Sequence, residues 1–244
     1  MDVVRELLAL SGHREVDVHA AFMGIPEHGF QAACENGHLD VVQDLLALSG
    51  HREVDVHVRH EAGFRCACRN GHVAVVRELL ALRGERFVNV HAGPGHVPSN
   101  GFLVACAWGH VGVVRELLGL TGDREIDVHV GWNGIPEEAF QRACARGHVN
   151  VVRELLVLTG HREVDVHAAR EGKPDYGFWI ASVHGHLGVV RELLALTGPR
   201  AVPLRARQAA GSGARKAGRD AVWHETLMRR GRREVVLLRA SLRR

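Results

Sequence analysis

The five cysteines and eighteen histidines of this 244-residue chain are its main candidates for metal binding or catalysis. Cys66 and Cys68 stand close to His72 in sequence, and zinc takes four such sulfur and nitrogen ligands in a tetrahedron. Cys68 and His72, however, occupy positions that recur as cysteine and histidine along the chain. The glycine before His72 should end the helix that carries the cysteines, which breaks the spacing of a helical ligand pair. We therefore predict no metal and no cofactor, and keep a zinc site as the less favoured alternative.

The elements that must position these residues recur at a nearly fixed period. Gly-His-x-x-Val-Val-x-x-Leu-Leu, or a close variant of it, returns six times, and its valine pairs are Val3-Val4, Val41-Val42, Val75-Val76, Val113-Val114, Val151-Val152 and Val189-Val190. The offsets are 38, 34, 38, 38 and 38 residues. A period of about 20 to 50 residues is the signature of stacked repeats, which bury apolar surface between neighbours.

Each full unit opens with Phe-x-x-Ala-Cys-x-x-Gly-His, with Ser182 replacing the cysteine in the fifth, and the five copies begin at Phe30, Phe64, Phe102, Phe140 and Phe178. Phe, Ala and Cys at i, i+3 and i+4 share one face of a short helix, and the glycine suits the left-handed conformation that ends it. A second helix carries apolar residues at spacings of three and four. A short run ending in Val-Asp-Val-His and a finger rich in Gly and Pro then lead to the next Phe.

This pattern resembles the ankyrin repeat. The resemblance covers residues 1–198 and implies an all-α, ankyrin-type solenoid of stacked helix-turn-helix units with β-hairpin-like fingers. We expect a half-unit at residues 1–19, followed by five full units. Two departures bear on the stacking angle: the family's Thr-Pro-Leu-His start is missing, and each unit is lengthened between its second helix and its finger. The half-unit leaves an apolar helix face without a preceding partner, which indicates either truncation or contact with another molecule.

Beyond the repeats the composition changes. Residues 199–220, rich in Ala, Gly and Arg, predict a flexible linker. Residues 221–244 predict a basic degenerate repeat or C-terminal cap helix, in which Gly231 takes the place of the repeat glycine. The segment from 199 to 244 holds 13 Arg/Lys against 3 Asp/Glu. This charge supports an alternative function, weak and salt-dependent binding of nucleic acid or another polyanion through the tail.

The resemblance implies a non-catalytic protein. A cysteine nucleophile needs a base and an activating environment, whereas the repeated cysteine is small and buried in ankyrin-like units. Gly93-Pro94-Gly95 lacks the Lys-Ser/Thr of a phosphate loop. We expect free thiols, because packed helices place the cysteines about 8–10 Å apart, beyond disulfide reach. With no signal peptide and no membrane-spanning apolar run, we expect a cytoplasmic, possibly nuclear, unsecreted monomer.

Each Val-Asp-Val-His run, or its variant, ends in one histidine. These histidines are His19, His57, His91, His129 and His167. We expect these rings to form a ladder of hydrogen bonds to backbone groups. Protonating a row of close imidazoles near pH 6 should be unfavourable, so the ladder predicts acid sensitivity.

Positions that differ between copies are the candidates for recognition. In ankyrin-like proteins the pair before Gly-His lies on the concave surface, beside the fingers. Trp and Arg most often dominate binding energy, which favours Trp108, Trp132 and Arg146. The predicted partner-binding residues, on helix ends and fingers, are Glu35, Asn36, Arg69, Asn70, Trp108, Trp132, Arg146, Tyr176 and His184. We expect them to bind a protein partner, with neutral drift of a solvated surface as the alternative explanation of their variation.

Overall fold

The structure is a computed structural model, which describes residues 2–93, 100–129, 131 and 134–228. The chain forms two compact bodies, Met1–Ile126 and Asp127–Arg244, which we call the N-terminal and C-terminal bodies. The described residues form thirteen α-helices: α1 Asp2–Leu8, α2 His28–Asn36, α3 Leu39–Leu46, α4 Val58–Asn70, α5 Val73–Ala81, α6 Gly101–Trp108, α7 Val111–Leu118, α8 Glu138–Arg146, α9 Val149–Leu156, α10 Tyr176–His184, α11 Leu187–Leu194, α12 Leu204–Lys216 and α13 Asp220–Met228.

Each first helix ends where the sequence predicts. Gly37 closes α2 in the left-handed conformation, at φ 73°, and the N–H of His38 donates to the Ala33 carbonyl over 3.0 Å. Glycine tolerates this conformation because it has no Cβ. The chain then turns directly into α3, so each Gly-His joins the two antiparallel helices of one unit.

The core of each body lies between successive units. Phe30 and Phe64 are 2% exposed, and Val42 is fully buried. A Cβ built on Gly63 would lie 3.0 Å from the Phe30 ring, and one on Gly101 would lie 2.7 Å from the Phe64 ring. Phe30 and Phe64 therefore occupy equivalent slots, each against the glycine that precedes the next unit's phenylalanine.

The lengthened segment of each unit is a short Gly-x-Arg turn that ties the unit to its predecessor. The turn arginine donates from Nη1 to a carbonyl at the end of the preceding second helix, over 2.9–3.0 Å: Arg52 to Leu8, Arg86 to Leu46, Arg124 to Leu80 and Arg200 to Leu156. The last carbonyls of a helix have no partner within it. The additional residues thus cap the neighbouring helix.

Charged residues on the second helices pair between units. Arg77 Nη2 lies 2.5 Å from Glu116 Oε1, and Arg153 Nη2 lies 2.6 Å from Glu192 Oε1. Arg77 stays 64% exposed in this pair. Such exposed ion pairs add little stability. Each of the two pairs joins the second helices of successive units.

Residues 199–220 differ from the predicted flexible linker. They contain α12, which packs against α10 and α13 and buries Ala206, Ala210, Gly211 and Ala214. A Cβ on Gly213 would lie 2.9 Å from a Val183 methyl group, so the small residues allow close packing. The Ala and Gly content that indicates a linker here forms a helix face.

The helix pair of α12 and α13 continues the repeat register. The N–H of Arg219 donates to the Ala214 carbonyl over 2.8 Å, as the repeat histidine does in the preceding unit. Arg219 therefore takes the place of that histidine. The register that the sequence predicts at Gly231 lies outside the described residues, as do all of residues 229–244.

Candidate partner-binding surface

In the N-terminal body, the predicted binding residues lie at the exposed C-terminal ends of α2, α4 and α6. Trp108 is 48% exposed, and the Arg69 guanidinium carbon lies 5.4 Å from the centre of its ring. This distance is within the range of a cation–π contact, which holds both side chains in place. Glu35 and Asn36 are exposed on the neighbouring helix end. We call Glu35, Asn36, Arg69, Asn70 and Trp108 the first-helix surface.

Part of this surface also holds the repeats together. Asn70 Nδ2 donates to the Glu35 carbonyl over 2.7 Å, and His72 Nε2 donates to the same carbonyl over 2.8 Å. Asn36 Nδ2 donates to Ala32 within its own helix, over 2.8 Å. The two amide side chains are therefore engaged with backbone carbonyl groups.

In the C-terminal body, the predicted residues divide into two groups. Arg146 and His184 are exposed at the ends of α8 and α10, and His184 Nδ1 lies 2.8 Å from the Ala145 carbonyl. Tyr176, predicted as an exposed binding residue, is only 8% exposed, because it begins α10 and packs under its finger. Trp132 lies outside the described residues.

In four of the five units the residue after the repeat phenylalanine contacts the finger, a role that the sequence analysis missed. Gln31 Nε2 donates to the Pro26 carbonyl over 2.7 Å. Arg65 Nε donates over 2.8 Å to the carbonyl of His60, which lies in the non-helical stretch 59–61 near the start of α4. In the fifth unit this residue is Trp179, and the Lys173 ammonium nitrogen lies 4.4 Å from its ring centre. The sequence feature that indicates this role is the large polar or aromatic residue after four of the five repeat phenylalanines.

A second missed feature is a row of buried acids three residues before the phenylalanine. Four units carry one, in the left-handed conformation: Glu27, Glu61, Glu137 and Asp175. The corresponding residue of the third unit, Ser99, lies outside the described residues. Each acid faces Nδ1 of its unit's ladder histidine, at 2.6 Å for His19 and 2.5 Å for His167.

The other ring nitrogen of each ladder histidine bonds to the next unit. Nε2 of His19 lies 2.8 Å from the His51 carbonyl, and Nε2 of His129 lies 2.7 Å from the His161 carbonyl. Both ring nitrogens therefore face oxygen acceptors, and only the imidazolium can donate to both. Each link runs from a buried acid, through the ring, to the backbone of the following unit.

These contacts raise the pKa of His19, His57, His129 and His167. For His19, His57 and His129 the main cause is the hydrogen bond to the buried carboxylate. For His167, burial lowers the pKa, but the bonds to Asp175 and to the Pro199 carbonyl outweigh it. The predicted ladder is present, yet the predicted acid sensitivity is wrong in sign, because these rings are stabilised when protonated.

In the comparisons with known proteins, this chain matches solved structures. No protein-family model matches the chain, and no curated protein matches it. Solved structures do match, among them the crystal structure of the human ASB11 ankyrin repeat domain. That match has a TM-score of 0.56 and 22% sequence identity, and it covers 84% of this chain and 87% of that chain. The fold is that of an ankyrin repeat domain. The predicted all-α, ankyrin-type architecture is confirmed.

Two fingers close with a single antiparallel bridge, Phe22 with Ile25 and Arg170 with Lys173. Among the helices of the described ranges, none is both long and apolar enough to span a bilayer.

The four cysteines at the repeat position are free thiols buried inside the stacks, and Cys66 is a half-buried free thiol. Burial raises the pKa of Cys34 to about 12, and it also raises the pKa of Cys68, Cys106 and Cys144. A thiol that resists ionisation is a poor nucleophile and a poor metal ligand. Within the described ranges, no group of His, Cys, Asp or Glu side chains could hold a metal ion.

Proposed function

We propose that this ankyrin-fold chain is a non-catalytic scaffold that binds a protein partner through its first-helix ends and fingers. The observation that carries the proposal is the exposed Trp108 beneath Arg69. Aromatic and arginine side chains are the most frequent anchors of protein interfaces. A ring already held in place loses little further conformational entropy on binding.

The buried links support the same function. Because turn arginines, ladder histidines and the Asn70 amide tie neighbouring units together, we infer that the exposed ends of α2, α4 and α6 form a rigid platform within the N-terminal body. A rigid platform suits recognition better than a mobile one, since binding then orders fewer groups. The buried, weakly acidic thiols supply no nucleophile for an enzymatic alternative.

The test is partner capture by the double variant Arg69→Ala/Trp108→Ala. After a partner has been identified with the intact chain, we expect the variant to lose about 2 kcal/mol or more of binding free energy, roughly thirtyfold in affinity. Val157→Ala is the matched control, because Val157 is 71% exposed but lies at the end of a second helix. Unchanged affinity of the double variant, with its circular dichroism intact, would remove the assigned surface.

A second candidate is binding of a polyanion by the basic C-terminal segment. On α12, Arg205, Arg215 and Lys216 are exposed, and the Arg215 guanidinium carbon lies 5.1 Å from the centre of the Trp223 ring. Since α12 packs on α10, deleting the whole segment would expose the core. The sharper test is Arg205→Ser/Lys216→Ser, titrated with single-stranded DNA at several salt concentrations. This function requires weaker binding and a shallower salt dependence in that variant.

A further inference from the structure

A strip of positive charge runs along α4 and ends beside Trp108. Arg65 and Arg69 are four residues apart in the helix, so they share one of its faces. Arg65 donates from Nε and Nη2 to the carbonyls of His60 and Arg59, over 2.8 and 2.9 Å, which places its charge at the non-helical start of α4. Arg69 lies at the other end, with its guanidinium carbon 5.4 Å from the centre of the Trp108 ring. We call Arg59, Arg65 and Arg69 the α4 arginines.

The half-buried Cys66 thiol shows that these charges lie close together. Burial and the Glu35 carboxylate raise the pKa of this thiol, whereas all three α4 arginines act against the shift. Among the described groups that act on Cys66, one carboxylate therefore opposes three guanidinium ions. The excess is local, because residues 1–198 as a whole are acidic, with 18 Arg/Lys against 25 Asp/Glu.

Exposed arginines on the second helices of the same body have carboxylate partners, and those on α4 do not. Arg77 Nη2 lies 2.5 Å from Glu116 Oε1. Arg59 and Arg69 are both exposed, yet within the described ranges neither forms an ion pair with a carboxylate. A positive strip on an otherwise acidic chain, without counter-charges of its own, is complementary to an anionic ligand.

We propose that the α4 arginines and Trp108 bind an acidic segment of a protein partner, whose carboxylates meet the guanidinium groups and whose apolar side chain packs on the Trp108 ring. This assignment rests on the function proposed above and adds the chemistry of the partner. Guanidinium groups bind carboxylates through paired, charge-assisted hydrogen bonds, and arginine clusters are a recurrent way of recognising acidic peptide motifs.

A nucleic acid fits this surface less well than an acidic peptide. The exposed Glu35 carboxylate acts on the same point of α4 as the arginines, and it would repel a continuous row of phosphates. Single strands also stack successive bases on several rings, whereas the first-helix surface offers only Trp108.

The first probe is a phage-displayed library of random peptides of about twelve residues, selected on the intact chain. We expect the selected peptides to be rich in Asp and Glu and to carry a large apolar residue. One of them is then synthesised with a fluorescein label, together with a copy in which Asn and Gln replace the acidic residues. By fluorescence anisotropy, the amide copy should bind at least about tenfold more weakly, and the affinity of the acidic peptide should fall as salt is added.

The variant Arg59→Gln/Arg69→Gln tests the site from the protein side. Both side chains are exposed, so the variant should fold, and it should bind the acidic peptide at least about tenfold more weakly than the intact chain does. Arg77→Gln/Arg115→Gln is the matched control, because it removes the same charge from exposed positions on the second helices of the same body. Its affinity for the peptide should stay within about twofold of that of the intact chain.

The outcomes separate this proposal from the one on which it rests. Selected peptides that are not acidic, but lose affinity for Trp108→Ala, overturn the acidic partner and leave the binding surface in place. Acidic peptides that bind Arg59→Gln/Arg69→Gln as tightly as the intact chain also overturn it, as does a library that yields no peptide. Peptide binding that neither Trp108→Ala nor the arginine variant weakens contradicts both proposals. A single-stranded DNA that displaces the peptide and binds more tightly would assign the strip to nucleic acid instead.

Discussion

The link between Glu137 and His129 makes a quantitative prediction about pH. Glu137 Oε1 lies 2.6 Å from His129 Nδ1 and accepts from the Asp165 N–H over 3.1 Å, while Oε2 is buried without a hydrogen-bond partner. Glu137→Gln keeps the shape of the side chain and removes its charge. The imidazolium then loses its counter-charge, and the new amide places a buried N–H₂ group where no acceptor stands.

The magnitude follows from the burial of the pair. A hydrogen bond to a charged group contributes about 1.5–3 kcal/mol, but the His129 side chain is 38% exposed, so solvent screening lowers the value to about 1–2 kcal/mol. The stabilisation by this hydrogen bond is larger at low pH than at high pH. Because the pKa of His129 is raised on folding, the stabilisation is fully present below the unfolded pKa of about 6.5 and is lost as pH rises through the folded pKa.

The assay is urea unfolding followed by far-UV circular dichroism near pH 6 and at about pH 9, on either side of the histidine titration. We expect the loss caused by Glu137→Gln to be larger near pH 6 and to shrink at the higher pH, leaving the part due to the unpaired amide. Glu163→Gln is the matched control: it removes the same charge from the same body, at a side chain that is 48% exposed and not bonded to a ladder histidine. The loss of stability in this control should be small at both pH values.

NMR titration of the His129 Cε1–H resonance checks the cause directly. In the intact chain this ring should titrate above the ordinary value of about 6.5, and in Glu137→Gln its pKa should fall. A ring that titrates at or below the ordinary value in the intact chain refutes the reasoning. So does a loss of stability that is equal at both pH values.

Two further predictions test the packing of the repeats. Gly71→Ala should destabilise by about 2–5 kcal/mol in urea unfolding, because Gly71 has φ +79° and its Cβ would lie 2.4 Å from His110 Nδ1. Gly84→Ala shares the left-handed conformation in open space, so it should cost only about 1–2 kcal/mol, and equal losses would contradict the ring-on-glycine packing. In a thiol-reagent assay on the native protein, the half-buried Cys66 should react first and Cys106 only after unfolding, which rapid labelling of Cys106 would disprove.

Much of the fold follows from local pattern. The six-fold return of Val-Val, the Phe-x-x-Ala-Cys face and the glycine caps predict helix pairs and the surfaces that they bury, because period and cap chemistry are local properties. The same comparison between copies locates Trp108 and Arg146 at exposed helix ends. It fails at Tyr176, whose burial depends on how its finger folds back over α10.

The linker prediction failed for a related reason. Ala206, Ala210 and Ala214 read as low-complexity composition when they are considered alone. Only the presence of α10 and α13 on either side turns their small size into a complementary surface. A segment of small residues favours disorder when no other helix packs against it, and it allows close packing when one does.

The sequence by itself determined the repeat, the glycine-capped ends of its first helices and the positions free to vary, since these depend on spacing within about forty residues. The tertiary structure alone decided the charge state of the ladder. Glu137 and His129 are eight residues apart, but the carbonyl that completes their link belongs to the next unit, thirty-two residues beyond the histidine. Whether a histidine is stabilised charged or neutral depends on the acceptors around both of its nitrogens, and those acceptors meet only when the units stack.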